Sequence, residues 1–477
     1  MVGYIILGIV LLFLAIIVTR ALSFNPKAQP EVCREEVTFD KEAAVNALQH
    51  LVQCKTVSYN DHSLEDDAEF QKLYALLPQL YPQIWTACEQ IDISDRAILL
   101  RWAGKDSSRA SVMMSHFDVV PADEAKWEKP AFSGIIEDGV MWGRGTLDTK
   151  VTLNAAMSAA EHLIGQGFIP ENDIYFAFSG GEEVNGLGAV QIVDYFESKG
   201  IRPALVVDEG GGVVENVFPG VKLPSAMIGI AEKGLINAKY TVQSSGGHAS
   251  APPVKSPIPT LASACRKVIE HPFKLHVTTP VAGMFDTLGR YSTFAYKLIF
   301  ANLWCFRPVL DLICRISGGE MNAMLRTTTA FTMMEGSTAR NVLPTEASLV
   351  SNMRLNPADT VAGAVEYLKK TVHDDTVEIT VLESSEPSAI SRLNCESWDK
   401  VASAVVSTWT GCIATPYLMV QCSDSRHYGR ISDHVYRFSA MDLTAEERKT
   451  IHGNNERIRL DCLYRSVEFY IRLLKKC

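Results

Sequence analysis

Hydrophobic positions along this chain fall into three regimes, each implying a different element type. The first, Val2 to Thr19, is a charge-free run dominated by Ile, Leu, Val and Phe and closed by Arg20. At 18 residues it reaches about the minimum length for a helix that crosses a bilayer. The apolar core of a cleaved secretory signal is shorter, about 7–15 residues. No Lys or Arg precedes the run and no small-x-small cleavage site follows it, so residues 1–22 are expected to form an uncleaved membrane anchor. Cleavage, giving a secreted body, is the alternative. Arg20 and Lys27 favour a cytosolic body by the positive-inside rule, but Glu31, Glu35 and Glu36 dilute that signal; the expectation taken forward is an extracytoplasmic body.

The second regime alternates short apolar runs with helical spacing. Lys41–Leu51, Asn154–Gly165 and Val190–Lys199 carry apolar residues at helical intervals. Between them Ala97–Trp102, Ser111–Ser115, Ile174–Phe178 and Ala204–Val207 read as strands. Strands separated by helices of this length imply crossover units and a mostly parallel sheet, with functional groups gathered beyond the strand carboxyl ends.

The third regime begins at Gly234. Leu235–Val242, Thr328–Met334, Ala347–Leu355 and Val377–Leu382 read as strands, and Ile258–Glu270 and Thr360–Val372 as helices. The order β-α-β-β-α-β suits a small ferredoxin-like domain. Helical patterns and short strands return after Glu386. The expected architecture is therefore a mostly parallel α/β domain formed by residues 40–233 and 385–477, with a ferredoxin-like domain, 234–384, inserted into it. One stretch, Phe285 to Ile316, has no place in that pattern. Its apolar, aromatic core Tyr296–Phe306 reads either as a buried helical pair under the small domain or as an apolar rim for a greasy substrate or a membrane surface.

Composition adds exclusions. The 477 residues are 47% hydrophobic and 21% charged, which is ordinary for a globular protein of two or more domains. A formal net charge of −10 argues against nucleic acid as a partner. Eleven cysteines are scattered singly without a CxxC pair, and the plain reading is buried or free thiols. No Asn-x-Ser/Thr acceptor for N-linked sugar occurs.

Five short stretches place acids and histidines at strand or loop ends: His116-Phe-Asp118-Val-Val-Pro121, Gly143-Arg-Gly-Thr-Leu-Asp148, Ser179-Gly-Gly-Glu182-Glu183, Asp208-Glu209-Gly-Gly, and His452-Gly-Asn-Asn-Glu456. Singly, each is as well explained by a satisfied histidine or a solvated acid pair. Together they offer two His and several carboxylates at one sheet edge, a donor set that suits two Zn²⁺ ions sharing a carboxylate. A pair of ions would lower the pKa of bound water and stabilise a developing oxyanion.

These motifs, in this order, resemble the zinc-dependent amidohydrolases of peptidase family M20, the aminoacylase and carboxypeptidase G2 type. Asp424-Ser-Arg-His-Tyr428, Val435-Tyr-Arg-Phe438 and Ile451-His-Gly-Asn-Asn-Glu-Arg457 resemble the branch of carboxypeptidase S and the N-fatty-acyl-amino-acid hydrolases. The resemblance implies a zinc-peptidase-like α/β/α sandwich with the small domain inserted as a lid or dimerisation unit. It implies a bridging Asp148, with His116 and Asp208 on one zinc and Glu183 and His452 on the other. It also implies that Asp118 orients His116 and that Glu182 is the general base. In the small domain it implies that His248 polarises the scissile carbonyl, within one chain or across a homodimer. Asn341 would contact substrate, and Arg354 would grip its carboxylate. One departure stands out: Gln421-Cys422-Ser423 replaces the Gly-Gly-Thr usual in the branch, which puts substrate preference in doubt. The expected reaction is cleavage, or in reverse formation, of the amide bond of an N-acyl amino acid. A carboxypeptidase or dipeptidase acting on short peptides is the alternative, and a membrane-tethered, non-catalytic binding protein is the remaining one.

Overall fold

The computed structural model describes residues 1–93, 96–216 and 218–477. The expected strands of the second regime form the middle of a nine-stranded sheet. Its order is Glu89–Ile91, Ala97–Trp102, Asn172–Ser179, Asp106–His116, Leu205–Asp208, Val435–Arg437, Ser225–Glu232 and Ile413–Met419, with Gly212–Val214 paired beside Ser225–Glu232. The centre is parallel: Asp106–His116 pairs in parallel with both neighbours, and Val435–Arg437 runs parallel to Leu205–Asp208. The flank of Ala97–Trp102 is antiparallel, as is the junction of Val435–Arg437 with Ser225–Glu232. The sheet is thus mixed rather than mostly parallel. Alternation of apolar residues reveals a strand but carries nothing about its direction, and only neighbours joined through a crossover must be parallel.

Side-chain alternation splits the central strands between two helical layers. Met113 belongs to the core shared with the helices Lys41–Val52, Lys150–Gly165 and Leu460–Leu474, whereas Val112 and Met114 face the core capped by Gly188–Ser198. Ala155, Ala156, Ala159 and Ala160 are fully buried where the helix Lys150–Gly165 lies between the sheet and the C-terminal helix. Small side chains there let three helices approach closely.

A second sheet has four antiparallel strands in the order Thr328–Glu335, Glu346–Leu355, Gly234–Gln243 and Glu378–Ser385. Ile236, Ala238, Tyr240 and Val242 alternate inward to meet the helices Pro257–Glu270 and Val361–Val372. The sequence order around this sheet is β-α-β-β-α-β, its first strand in the chain starting at Gly234 and its last ending at Ser385.

Residues 279–325 depart from the expectation for 234–384. They form four helices, Thr279–Gly289, Phe294–Phe300, Leu303–Ser317 and Gly319–Leu325. Val281, Met284, Phe285 and Leu288 pack with Tyr417, Leu418 and Met419 of the large sheet, so this segment covers the large sheet's far end instead of lying under the small one. The helix Val2–Leu22 (mean hydropathy 2.9) also docks here and is otherwise almost wholly exposed. Phe13 packs edge-on against Trp304 with ring centroids 5.8 Å apart. Arg20 donates to the carbonyl of Ala301 at 2.9 Å, and Asn302 donates to the carbonyl of Ile17 at 3.1 Å.

Candidate metal centre and active site

The site is assembled where the parallel strands end. His116 closes the central strand and is buried; its Nδ1 lies 3.0 Å from the carbonyl oxygen of Asp118 and 3.3 Å from its carboxylate. With Nδ1–H turned to Asp118, Nε2 keeps its lone pair toward the site. Asp118 is fully buried and also accepts from Ser58 Oγ at 2.6 Å and from the backbone N–H groups of Glu182 and Glu183 at 3.1 and 3.2 Å. One carboxylate therefore fixes both the first histidine and the turn that carries the paired glutamates.

Asp148 is presented by a loop held from the opposite end of the chain. The buried Glu456 accepts from the N–H groups of Gly145, Leu147 and Asp148 at 3.0, 2.7 and 3.2 Å. Its other oxygen meets Arg144 Nη1 at 2.6 Å. Gly145 adopts φ +90°, and a Cβ there would come within 3.0 Å of both Lys150 and Val119, so the turn requires glycine.

Asp148 faces a histidine with each oxygen. Oδ1 lies 3.1 Å from His116 Nε2, and Oδ2 lies 3.0 Å from His452 Nε2. Glu183 Oε1 is 3.2 Å from His452 Nε2, and Glu209 Oε1 is 3.3 Å from His116 Nε2. The groups His116, Asp148, Glu183 and His116, Glu182, Glu209 each bring ligand atoms within 4.8 Å of one another.

Asp208 does not sit where it was expected. It is buried at the end of its strand and accepts from the backbone N–H of Ser425 at 3.0 Å, while the next residue, Glu209, turns its carboxylate to His116. Successive side chains point to opposite sides at a strand end, so only one of two adjacent acids can face the site. Their adjacency was visible in the sequence, but nothing there indicated which one faces in.

The electrostatics describe a cluster with more negative charge than its own cations balance. Burial pushes the Glu209 carboxyl up to about 8, with Asp148 adding to the rise and His116 opposing it. Burial likewise raises Glu182 well above the carboxylate range, with Glu209, Asp424 and Glu183 contributing. Hydrogen bonding to Asp148 and Glu183 lifts His452 to about 10. His116 is raised against the effect of its own burial by Glu209, Asp118 and Asp148. Such a set of N and O donors, with acids forced toward protonation for lack of positive charge, fits divalent cations.

A cavity of about 730 Å³ opens from this cluster. Asp148, Glu182, Glu183, Glu209 and His452 line one end. Val213, Val214, Met227, Met419, Met441 and Leu443 supply an apolar wall, and Glu320, Tyr417, Gln421 and Cys422 are also at its surface. Tyr417 and Glu320 were not foreseen, because they come from a sheet-edge strand and a short helix with no motif of their own. Arg354 Nη1 donates to Cys422 Sγ at 3.2 Å, which brings the arginine to the cavity rim. His248 and Asn341 do not line the cavity. His248 is exposed on a two-stranded ladder with Val342–Leu343, its Nδ1 2.8 Å from Ser250 Oγ, and the carbonyl of Asn341 accepts from Ala249 N–H at 3.0 Å.

Residues 112–476 match the family model described as Peptidase family M20/M25/M40. The chain belongs to peptidase family M20. It is 32% identical over 98% of its length to the probable carboxypeptidase S-like 2 of Dictyostelium discoideum, covering 92% of that protein. It is also 32% identical over 91% of its length to the N-fatty-acyl-amino acid synthase/hydrolase PM20D1 of Xenopus tropicalis, covering 86% of it. Among solved structures, an M20 family metallo-carboxypeptidase from Sulfolobus solfataricus superposes with a TM-score of 0.66 at 18% identity, over 91% of this chain and 98% of that one. Human carnosine dipeptidase 1 superposes with a TM-score of 0.64 at 14% identity, over 91% and 96%. The M20 chain is thus an enzyme of a metal-dependent peptidase family, with the family's α/β fold and a cluster of acids and histidines placed to hold metal.

Proposed function

We propose that this M20 enzyme is a two-zinc amidohydrolase that cleaves, and under mass action forms, the amide bond of N-acyl amino acids with long acyl chains. The observation that carries the proposal is the cavity, which joins the acid–histidine cluster to an apolar wall of Val213, Val214, Met227, Met419 and Met441. That wall takes over the acyl-binding role the sequence had offered to Tyr296–Phe306. Ions held by His116, Glu209 and Asp148 on one side, and by His452, Glu183 and Asp148 on the other, would supply Lewis acidity and a water of lowered pKa. Glu209 takes the ligand role first expected of Asp208.

Glu182 takes a proton from the attacking water and returns it to the leaving nitrogen. Asp118 keeps His116 and the Glu182–Glu183 turn in register for that transfer. Arg354, at the rim beside Cys422, grips the free carboxylate of the amino acid, a task suited to a planar bidentate donor. His248 and Asn341 join the substrate when the small domain closes as a lid, or serve the neighbouring site in a homodimer. The helix Val2–Leu22 anchors the enzyme in a membrane, with the body on the extracytoplasmic side.

The relative named carboxypeptidase S-like favours a second reading, cleavage of short peptides with a free carboxylate. The test is release of phenylalanine from N-oleoyl-phenylalanine by the full-length enzyme in detergent, with Zn²⁺ and then with chelator, beside a dipeptide. Release that chelator and Glu182→Gln both abolish supports the amidohydrolase. Turnover of the dipeptide alone moves the assignment to a peptidase, and silence on both with zinc bound leaves a binding protein.

A further inference from the structure

The helix Leu303–Ser317 turns its apolar side away from the protein. Leu310 and Cys314 are buried against the body, whereas Trp304, Val309, Leu312, Ile313 and Ile316 are exposed, Ile316 by 79%. At 100° per residue these five positions share one half of the helix circumference. Arg307, Asp311 and Arg315 lie along one border of that half. Arg307 donates to the carbonyl of Leu275, and Asp311 pairs with Arg315 and with the buried Arg326. An apolar outward stripe with charges confined to its edge is the pattern of a helix lying in a membrane interface.

What covers this stripe is indicated by its neighbour. Val2–Leu22 docks on the same segment, and the Phe13–Trp304 contact fixes the relative level of the two helices. Phe13 lies nine residues before Leu22, a distance of about 13 Å along the axis. If Val2–Leu22 spans a hydrocarbon core of about 30 Å, the Trp304 ring is carried into the same leaflet. Arg20, hydrogen-bonded to Ala301, holds that arrangement at the end nearest the body. The anchor is therefore packed beside a second helix whose outward face is apolar.

We propose that the outward face of Leu303–Ser317 is a lipid-contacting surface, seated in one leaflet beside the N-terminal helix. Gly318 and Gly319, with φ +61° and +72°, turn the chain from this helix directly into Gly319–Leu325, whose Gly319, Glu320 and Ala323 line the cavity. The proposal rests on reading Val2–Leu22 as a membrane helix, so each helix needs its own reporter.

The test uses the full-length chain in phosphatidylcholine vesicles, with and without dibrominated acyl chains, which quench tryptophan on contact. Leu7→Trp reports the anchor, Leu312→Trp and Ile316→Trp report the stripe, and each is read as its difference from wild type. All three positions are exposed, so the substitutions leave packing intact, and circular dichroism checks that. The expected result is loss of the added fluorescence at residues 312 and 316 comparable with that at residue 7. Quenching at residue 7 alone overturns the proposal while leaving the anchor in place. No quenching at any position overturns both. A blue shift at 312 and 316 that depends on protein concentration, without lipid quenching, overturns it in favour of a second copy on this face.

Discussion

Replacing Glu456 by Gln removes one charge and almost no volume from the support beneath Asp148. Glu456 and Arg144 are 0% and 2% exposed and meet at 2.6 Å. Removing one partner of such a buried pair costs about 3–5 kcal/mol, because the other charge is left uncompensated. Glutamine still offers an oxygen to the N–H groups of Gly145, Leu147 and Asp148. Arg144 also keeps the carbonyl of Gly453 at 2.8 Å and the face of Trp127. The lower end, about 3 kcal/mol, is therefore expected, a large share of the roughly 5–15 kcal/mol that holds a folded protein together. Alanine would be less informative, since three more backbone donors would lose their acceptor. Guanidinium unfolding of wild type, Glu456→Gln, Arg144→Met and the double variant measures the effect. The double variant should lose much less than the sum of the singles, because no unpaired charge remains. Zinc affinity of Glu456→Gln should also fall by about 10–100-fold, as when a group supporting a metal ligand is removed. A loss under about 1 kcal/mol with additive singles would refute the clamp.

Three further outcomes follow from the geometry. On the proposed two-zinc reading, Glu209→Gln should lower bound zinc toward one ion by elemental analysis, whereas Asp208→Asn should bind as much zinc as wild type and lose stability; the reverse result would restore Asp208 as the ligand. Val214→Phe, at the apolar wall, should reduce kcat/KM for a long-chain N-acyl amino acid by roughly 10–200-fold and spare a short-chain one. Equal losses on both would place the acyl chain elsewhere. Burial, aided by Arg354, pushes the Lys233 amine down to about 7 from its ordinary 10.5. Between those two values the unfolded chain holds more protons than the folded one, so Lys233 makes stability rise with pH across that window. Wild type should accordingly gain on Lys233→Met in denaturant midpoint between pH 7 and 10, and parallel profiles would contradict the burial argument.

Most elements could be read from periodicity because each buries one face against one layer. Ala97–Trp102 and Ile258–Glu270 are such cases: the structure has the strand with those bounds and extends the helix by one residue, to Pro257. Periodicity failed where the environment is two-sided or unusual. The aromatic run Tyr296–Phe306 is apolar both where it packs on Phe218 and Phe285 and where Trp304 meets the N-terminal helix, so its composition alone could not say which side was outside. Strand direction, and with it the mixed sheet, is set by distant pairing that no local pattern encodes. At the site, His116, Asp148, Glu183 and His452 were legible because glycine or proline marks the turns that present them. Glu209 was not, because the choice between adjacent acids depends on the Ser425 backbone N–H that occupies Asp208. The cavity wall was invisible for the same reason, being gathered from strands and loops far apart in the chain.

The strand order has a consequence for how the protein comes off the ribosome. Val435–Arg437 occupies the slot between Leu205–Asp208 and Ser225–Glu232, so two central strands of the large sheet lack a shared partner until about 200 further residues have emerged. His452 emerges some 240 residues after Glu209, a delay of roughly 12–50 s at ordinary elongation rates. During that interval the nascent chain would carry an acid-rich half-site and a gap with unpaired edges on both sides, the kind of surface on which chains stick to one another. Val2–Leu22 emerges before all of these strands. A chain already held at a membrane by that helix would wait out the interval apart from its free-floating neighbours.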